Sequence, residues 1–344
     1  MSKKFDVVIG NPPYQEEATG DGTRDTPVYH LFMAAAYEVA SKAVLITPAR
    51  FLFNAGFTPK KWNTEMLNDP RLTVPFYVPN SAQLFPGTDI KGGIAVTSWD
   101  ESREGDPITT FTSYPELNAI LHKVGAAGDD SMESLITTSR SFRYTTKLYE
   151  DHPELLALRP KGNEGLVESN AFDQFSTVFH EARPQDGQDY VRVLGLQGRG
   201  RVYRWIRTDY FDGPDNLWKF KVALPKANGS GQLGEVFASP LVIEPGVGTT
   251  HTFITIGALE DEVAANACLN YVKTKFARTM LGVAKITQDN KRHTWRFVPR
   301  QDFSTSSDID WSKSIPEIDQ QLYKKYGLDD EEIAFIEEKV KPMA

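Results

Sequence analysis

The sequence has a single cysteine and no long apolar run, and these two shortages exclude several classes of protein. Cys268 alone cannot build an intrachain disulfide framework or a thiolate metal cluster. No stretch approaches the roughly 20 apolar residues that a membrane-spanning helix needs, and the N-terminus lacks the profile of a signal peptide. No His, Cys and Asp residues have the spacing of a metal site. These absences predict a cytoplasmic protein with no membrane attachment and no bound metal.

Charge is unevenly distributed along the chain, which limits the partners it can bind. The 344 residues are 40% hydrophobic and 24% charged, with a net charge of −8, and such values are typical of globular proteins with room for two cores. Between Leu269 and Arg300, eight basic residues accompany one acid, Asp289, whereas acids concentrate after Gln301. This asymmetry favours a protein that holds a phosphate backbone on one face. The alternative is that these charges are spread over a solvated surface.

Residues 1–110 predict an α/β domain. Short apolar runs alternate with helix-like segments, which favours a wound, mostly parallel sheet whose last strand can be antiparallel. The predicted strands are Phe5–Ile9, Ala43–Thr47, Leu72–Tyr77 and Gly93–Trp99, and the predicted helical segments cover 27–40 and 60–67. A short helix at 115–124 and a linker make up residues 111–130.

Residues 131–300 have a different texture and predict a mixed, β-rich α+β domain. The clearest strands are Val191–Leu196, Val202–Ile206, Phe220–Leu224, Leu241–Glu244 and Phe253–Ile256, and the strongest helix covers 260–281. Three polar loops, at 224–231, 246–251 and 285–290, can present side chains to base edges or phosphates, or can be plain turns. Residues 301–344 predict a helical pair, 315–326 and 329–341, whose ordinary role is packing.

The most informative stretch is Asn11-Pro12-Pro13-Tyr14, which follows the first predicted strand. The two prolines remove backbone N–H groups, so the carbonyls of Gly10, Asn11 and Pro12 stay available as acceptors. An amide oxygen, a carbonyl and an aromatic face at the carboxyl end of a strand suit a planar, amino-bearing group such as a nucleobase. A Pro-Pro turn is also common without any function.

Three motifs in a fixed order resemble those of the amino-methyltransferases that modify DNA at adenine N6. Asn11–Tyr14 resembles motif IV, residues 43–52 resemble the next strand and its exit, and residues 81–96, with Phe85-Pro86 before a strand, resemble motif VIII. The details are similar to those of the Eco57I-like restriction–modification methylases, and the similarity continues into the C-terminal half. The resemblance implies the C-terminal half of a Rossmann-like class I methyltransferase sheet, followed by a target recognition domain at 131–300 and C-terminal helices at 301–344.

The resemblance also implies roles for individual residues. The Asn11 side-chain oxygen and the Pro12 carbonyl would accept the two N6–H groups of an adenine flipped out of the duplex, and Tyr14 would stack on that base. Phe85 would cover its second face or, alternatively, anchor its own loop. The residues predicted to bind the substrate are Pro13, Gln15 and Phe85. The residues predicted to contact DNA are Lys91, Arg199, Arg201, Lys226 and Lys285.

One element of the family pattern is missing. The family holds S-adenosylmethionine largely through a Gly-rich loop that normally precedes the Asn-Pro-Pro-Tyr motif, but only Met1–Ile9 precede it here, and no strand followed by a Gly-x-Gly helix entry lies downstream. We therefore expect the base-binding and DNA-recognition part of a site-specific DNA adenine-N6 methyltransferase of a restriction–modification system. A second polypeptide or a missing N-terminal region would hold the donor.

Other partners and readings follow from the same resemblance. The expected partners are double-stranded DNA and the donor-binding part, and a restriction endonuclease could also associate. One alternative is a non-catalytic DNA-binding or specificity protein derived from such a methylase. A protein or RNA methyltransferase subunit is the other, because the Asn-Pro-Pro-Tyr motif also occurs in enzymes that methylate glutamine amides and RNA guanine.

Overall fold

The computed structural model of the protein describes residues 3–16, 26–54, 57–88, 90, 92–125, 130–198, 200–229, 231–285 and 287–343. Two of the predicted DNA contacts, Lys91 and Arg199, lie outside the described residues, as does part of the predicted 111–130 linker. The chain forms two compact units, residues 1–118 and 119–344. Several separate sheets and interspersed helices make the fold a mixed α/β one.

Unit 1 is built on strands and helices that alternate along the chain. Its elements are β1 (Phe5–Gly10), β2 (Gln15–Glu16), β3 (Thr26–Pro27), α1 (Tyr29–Val39), β4 (Ala40–Pro48), α2 (Lys60–Leu67), β5 (Leu72–Val78) and β6 (Ile94–Asp100). Helix α3 (Pro115–Val124) crosses the boundary between the units. Each strand and helix predicted for residues 1–124 is present, with ends shifted by a few residues.

The main sheet of unit 1 has the strand order β1-β4-β6-β5. Strand β1 pairs with β4 in parallel, and β6 pairs antiparallel with both β4 and β5. Strands β1, β4 and β5 therefore run in one direction and β6 in the other. The sequence predicts that the last strand can be antiparallel; β6 is antiparallel, and it lies inside the sheet rather than at its edge.

One face of this sheet is covered by α1. Met33 and Tyr37 of the helix are buried against residues of β4 and β6, among them Leu45 and Trp99. The rings of Tyr37 and Trp99 stack with their centroids 4.8 Å apart, a geometry that adds about 0.5–1.5 kcal/mol to the burial of the two rings. This packing fixes α1 against strands β4 and β6.

The opposite face of the same sheet is open over part of its area, although Ile94 and Val78 on it are buried. Side chains alternate between the two faces of a strand, and the pairing register places Ile9 beside Val44, and Phe76 beside Val96, on this second face. Ile9 is 79% exposed and Phe76 is 55% exposed, while Val44 and Val96 are only half-buried. Strand β1 is also hydrogen-bonded on one side alone among the described residues. Unit 1 thus presents an apolar sheet face, defined by Ile9, Val44, Phe76 and Val96, that we call the open face.

Unit 2 contains shorter strands and several small sheets. Its strands are β7 (Ile136–Thr137), β8 (Arg143–Tyr144), β9 (Tyr190–Gln197), β10 (Gly200–Arg207), β11 (Phe211–Asp212), β12 (Phe220–Pro225), β13 (Leu241–Ile243), β14 (Val247–Thr249) and β15 (Phe253–Leu259). Its helices are α4 (Thr146–Asp151), α5 (Pro153–Leu156), α6 (Ala171–Gln174), α7 (Glu262–Lys273), α8 (Lys275–Gly282), α9 (Ile315–Lys325) and α10 (Asp330–Lys339). The sheets have the orders β13-β12-β15-β7, β10-β9-β14 and β11-β8.

Two predictions for this half need correction. The helix predicted at 260–281 is two helices, because Thr274 has an extended backbone and its hydroxyl accepts from the Ala277 N–H, which begins a new helix. The loop predicted at 246–251 contains β14, which pairs in parallel with β9. Three residues between two glycine- and threonine-rich turns are too few for the alternation of a strand to be recognised.

The C-terminal helices pack as predicted and are joined to α8. Ser314 and Asp329 cap α9 and α10, each in a reciprocal box with a glutamate three residues on. Asp319 in α9 accepts hydrogen bonds from the N–H groups of Lys275 and Phe276, at 3.0 and 2.9 Å, at the start of α8. In the described part of the chain, no helix combines the length and apolarity needed to cross a membrane.

Candidate functional site

The Asn-Pro-Pro-Tyr stretch lies directly after β1, at its carboxyl end. The turn leads into the small β2/β3 hairpin, where Gln15 pairs with Pro27, and the Val28 N–H donates to the Tyr14 carbonyl at 3.1 Å. The turn is therefore tied back to the start of α1. Prolines at 12 and 13 fix two φ angles in this connection, so its shape is set by the sequence and by the hairpin together.

The carbonyls of Asn11 and Pro12 remain available in this turn. Among the described residues, no backbone N–H donates to either carbonyl. Asn11 itself is exposed, and Pro12 is half-buried. The acceptors that the sequence predicts are therefore present at the surface of the turn, where an incoming amino group can reach them.

Five consecutive residues line one cavity of unit 1. The cavity has a volume of 550 Å³. The lining residues from the first turn are Asn11, Pro12, Pro13, Tyr14 and Gln15, and those from elsewhere include Pro27, Tyr29, Pro48, Arg50, Phe57 and Ile90. The residues come from the exits of β1 and β4, from β3 and the start of α1, and from the segments before α2 and β6. In open α/β sheets this edge, outside the carboxyl ends of the strands, is the usual ligand site.

Two tyrosines give the cavity an apolar wall with buried hydroxyls. Burial raises the pKa of Tyr14, and the nearby Asn11 side chain partly offsets that rise. The Tyr14 hydroxyl forms no hydrogen bond of good geometry within the described residues. Burial also raises the pKa of Tyr29 to about 12, against the opposing effects of Thr58 and Arg50. Both side chains are therefore neutral near pH 7 and present aromatic faces rather than charge.

Arg50 also lines the cavity. It lies within the second motif, residues 43–52, but the sequence predicts no role for it. It lies in the 3₁₀ turn Ala49–Phe53 that follows β4. Its guanidinium adds a positive charge to a cavity whose other described lining residues are neutral. The neighbouring Gly92 makes room for it, since a Cβ at Gly92 would lie 2.9 Å from the Arg50 Cγ. Glycine at position 92 is the sequence signal for such a close approach, because any larger residue would meet the Arg50 side chain.

Phe85 is placed in the loop between β5 and β6, outside the described lining of the cavity. It is half-buried, and its carbonyl accepts from the Thr88 hydroxyl at 2.8 Å. Ser81 fastens the same loop, because its hydroxyl accepts from the Ile90 N–H at 2.8 Å. The loop does reach the cavity, but through Ile90 rather than through Phe85.

The described DNA contacts predicted for unit 2 divide into one lysine beside a cavity and two cations engaged with backbone carbonyls. Lys285 is 5% exposed, and its ammonium donates to the carbonyls of Asn228 and Thr287, at 2.8 and 3.1 Å, and pairs with Glu235 at 3.3 Å. Lys285 therefore holds two loops together and is not available to DNA. The number of basic residues in a segment cannot show which of them are engaged in internal hydrogen bonds.

Arg201 is also engaged inside unit 2. Its guanidinium donates to the Ala238 carbonyl at 2.5 Å and to the Ser239 carbonyl, and it lies over the Phe253 ring at 5.4 Å. Lys226 differs from both, because it lines a cavity and, among the described residues, its ammonium contacts the His251 ring alone. Of the described candidates, Lys226 alone remains suitable for a phosphate.

The comparison with known proteins bears on the first 85 residues. Residues 1–85 match the model of the Eco57I restriction-modification methylase family. The family resemblance is confirmed for these residues. An uncharacterized adenine-specific methylase of Mycoplasma pneumoniae (strain ATCC 29342 / M129 / Subtype 1) is 31% identical over 107 residues, which are 30% of this chain and 25% of that protein. The chain thus matches about a quarter of the length of this curated relative.

Two solved structures show distant likeness over most of the chain. The type IIL restriction-modification enzyme MmeI, in complex with DNA, is 9% identical, with a TM-score of 0.37, over 97% of this chain and 56% of that one. The type IIG restriction endonuclease BpuSI is 12% identical, with a TM-score of 0.33, over 97% of this chain and 53% of that one. The family match of the N-terminal residues is much the more specific finding.

Proposed function

We propose that this chain is the target-base-binding and DNA-recognition part of a site-specific DNA adenine-N6 methyltransferase of a restriction–modification system. The observation that carries the proposal is the cavity at the carboxyl end of β1, which is lined by all five residues from Asn11 to Gln15, within the segment that matches the methylase family. The division into a catalytic part at 1–110 and a target recognition domain at 131–300 belongs to the same proposal.

The chemistry needs acceptors rather than a strong base. The adenine N6 lone pair is delocalised into the ring, so the amine is a poor nucleophile until its nitrogen becomes pyramidal. If the Asn11 side-chain oxygen and the Pro12 carbonyl each accept one N6–H, the lone pair is freed and directed away from the ring plane. These acceptors also stabilise the positive charge that develops on nitrogen during transfer. The exposure of Asn11, and a Pro12 carbonyl that accepts from no backbone N–H among the described residues, support this role.

The base itself requires aromatic surfaces. A flipped adenine loses its stacking within the duplex, at a cost of a few kcal/mol, and stacking on protein rings recovers part of it. Tyr14 supplies one ring in the cavity wall. Phe57, which is 64% exposed and lines the same cavity, is better placed than Phe85 to cover the second face. We therefore transfer that role from Phe85 to Phe57.

The methyl donor is not held by these residues alone. The donor of this family, S-adenosylmethionine, supplies the methyl group when bound. The described exits of β1, β4 and β5 lead into the Pro-Pro turn, the Ala49–Phe53 turn and the Ser81 turn, and none of the three is a Gly-rich strand-to-helix loop. The cavity therefore fits the acceptor base, and the donor requires a further set of residues.

The open face supports completion by a donor-binding half. Exposed apolar side chains grouped on one face are typical of a contact surface; the open face exposes Ile9 and Phe76, and β1 has one paired side among the described residues. A second half that extends the sheet beyond β1 and covers the open face would bury these side chains. Unit 1 would then be the C-terminal half of a Rossmann-like class I sheet.

Methyl transfer with labelled donor tests the proposed site. The chain is co-purified with a polypeptide carrying the Gly-rich strand–loop–helix half, and transfer to mixed-sequence duplex DNA is counted. Asn11→Ala should lower the rate constant by about 10²–10³, the usual effect of removing one transition-state hydrogen-bonding group, with DNA affinity little changed. Asn68→Ala is the matched control, because Asn68 is exposed in the same unit and lies outside the cavity lining.

The same assay tests the completion of the sheet. The chain alone should give no transfer, and Ile9→Lys should weaken association with the donor-binding half at least tenfold, because it puts a charge on an apolar contact. Robust turnover by the isolated chain would contradict the division of the site. If Asn11→Ala and Tyr14→Ala leave transfer unchanged, the site is not the one described, and a non-catalytic DNA-binding role becomes the better account.

A further inference from the structure

The three polar loops of unit 2 meet at one place. The Asn290 N–H donates to the Lys226 carbonyl at 2.7 Å, and the Asn290 side chain donates to the Pro225 carbonyl at 3.0 Å. The Lys226 N–H in turn donates to the Thr252 carbonyl at 2.9 Å. These bonds join the loop after β12 to the loop after β14 and to the loop around residue 289. What the sequence shows as three separate loops is one assembled surface.

A cavity of 360 Å³ lies where these loops meet, and it is strongly basic. Its charged lining residues are Arg140, Lys226, Asp289, Lys291 and Arg292, and His251 also lines it. Asp289, the one acid among them, pairs with Lys291 at 3.1 Å. Within the described residues, no carboxylate is in ion-pair contact with the other three cations. The lining therefore has a surplus of positive charge that the described residues do not neutralise.

Lys226 is the half-buried member of this basic group. Its ammonium is 3.2 Å from the Nε2 and 3.4 Å from the Nδ1 of His251. Burial lowers the pKa of His251, and the charges of Lys226 and Arg140 lower it further, against a smaller opposing effect of Glu168. The imidazole is thus neutral near pH 7 and can accept from the ammonium. A neutral partner positions Lys226 without cancelling its charge.

The flanking arginines are anchored through neutral groups as well. Arg140 donates to the Asn163 side chain at 2.6 Å, and Arg292 donates to the Glu133 carbonyl at 3.1 Å. A guanidinium has five N–H donors. Each of these hydrogen bonds uses one side of the group, and the other N–H donors can bind an anion. Arg140 and Arg292 are both exposed at the cavity rim. A half-buried lysine and two exposed arginines that line one cavity suit an anion that is part of an extended chain.

We propose that this cavity binds a phosphodiester group of the DNA backbone, with the Lys226 ammonium as its main contact and Arg140 and Arg292 as further contacts. The inference rests on the proposed function, because it takes DNA as the ligand. It assigns to the three loops a positioning role, since phosphate contacts fix the register of a protein on a duplex but carry no sequence information.

The dependence of DNA affinity on salt tests the site. Each lost phosphate contact reduces the slope of log K against log salt by about 0.9, so Lys226→Ala should bind mixed-sequence duplex about eightfold more weakly at 0.1 M salt, with the difference vanishing near 1 M. Lys219→Ala is the matched control. Lys219 precedes β12 as Lys226 follows it, and it forms an exposed ion pair with Glu260 at 2.5 Å; its slope should equal that of the wild type.

Folding and the source of the phosphate are controlled separately. Lys226→Gln keeps most of the side chain, and thermal unfolding of both variants should match the wild type, because among the described residues the Lys226 ammonium contacts His251 alone. The His251 ring resonances are then followed by NMR with duplex DNA and with inorganic phosphate. Wild-type DNA affinity and slope in both Lys226 variants would overturn the inference, even if inorganic phosphate shifts His251, since the cavity would then hold a free anion only.

Failure of this inference and failure of the proposed function give different results. An unchanged salt slope together with Asn11-dependent methyl transfer removes the phosphate site and leaves the proposed function standing. A reduced salt slope in the Lys226 variants, with no methyl transfer by the completed enzyme, keeps the phosphate site and removes the proposed function.

Discussion

The central sheets of the two units differ in how they are covered. In unit 2, the consecutive residues Val222, Ala223 and Leu224 of β12 are all fully buried, so both faces of that strand are covered. Helix α7 packs on β12, β13 and β15, and Ala223 also packs against Leu194 and other buried residues of the second sheet. Among the described residues of unit 1, Ile9 and Phe76 on the open face have no such cover.

This difference shows which part of the chain is structurally self-sufficient. An apolar side chain contributes about 1.5–3 kcal/mol when it is fully buried, and unit 2 gains that contribution on both sides of its sheet. Unit 1 gains less of it on the open face, where Ile9 and Phe76 are exposed. The open face is therefore where we expect a further half to bind, and the cavity of the Asn-Pro-Pro-Tyr turn lies in the same unit.

The largest expected effect comes from truncating an isoleucine in each sheet. Ile256 in β15 is fully buried, so Ile256→Ala should lower the free energy of unfolding by about 2–5 kcal/mol. Ile9 is 79% exposed, so Ile9→Ala should change it by less than about 0.5 kcal/mol. Urea unfolding of the two variants checks the pair. A large loss from Ile9→Ala would mean that the open face is covered within the isolated chain.

A smaller effect separates the two buried aspartates, one in each unit. Burial raises the pKa of Asp69, but hydrogen bonds from Arg71 and Trp99 outweigh it and leave the pKa lowered. Burial raises the pKa of Asp319 to about 6, since only the two N–H groups of α8 and a distant Arg278 oppose it. The two carboxyls should therefore give stability opposite dependences on pH.

The sign follows from proton linkage. Asp69 stabilises unit 1 above its unfolded pKa, and that stabilisation is lost as the pH falls below 4. Asp319 binds a proton more tightly in the folded state, so the stability of unit 2 falls as the pH rises from about 4 to about 6. We expect unfolding free energies measured from pH 3 to 7 to check both assignments. Asp69→Asn should remove the loss of stability below pH 4, and Asp319→Asn should remove the loss between about pH 4 and 6. The same slope in both variants would contradict the assignment.

Sequence alone predicted unit 1 better than unit 2, for a physical reason. The strands of unit 1 alternate with helices and are long enough to show their period, so Phe5–Gly10 and Ile94–Asp100 were recognisable. Strand β14 has three residues, and its place depends on pairing with β9, which is far along the chain. Tertiary pairing of this kind has no local signature.

The candidate site was predictable for a similar reason, up to a point. Asn11 to Gln15 are contiguous, so their shared cavity follows from one motif, whereas Arg50 and Phe57 reach it from other elements. The error at Lys285 has another origin. Composition shows that the segment is basic but not that backbone carbonyls surround this lysine.

The identity of the methylated product tests the central claim most directly. The completed enzyme is incubated with duplex DNA and labelled donor, and the DNA is digested to nucleosides and separated by mass. We expect N6-methyladenine as the labelled product, with its yield abolished by Asn11→Ala and unchanged by Asn68→Ala. Label found on cytosine, on RNA or on protein, or N6-methyladenine formed equally well by the Asn11→Ala variant, would contradict the assignment of this turn as the adenine-binding side of the active site.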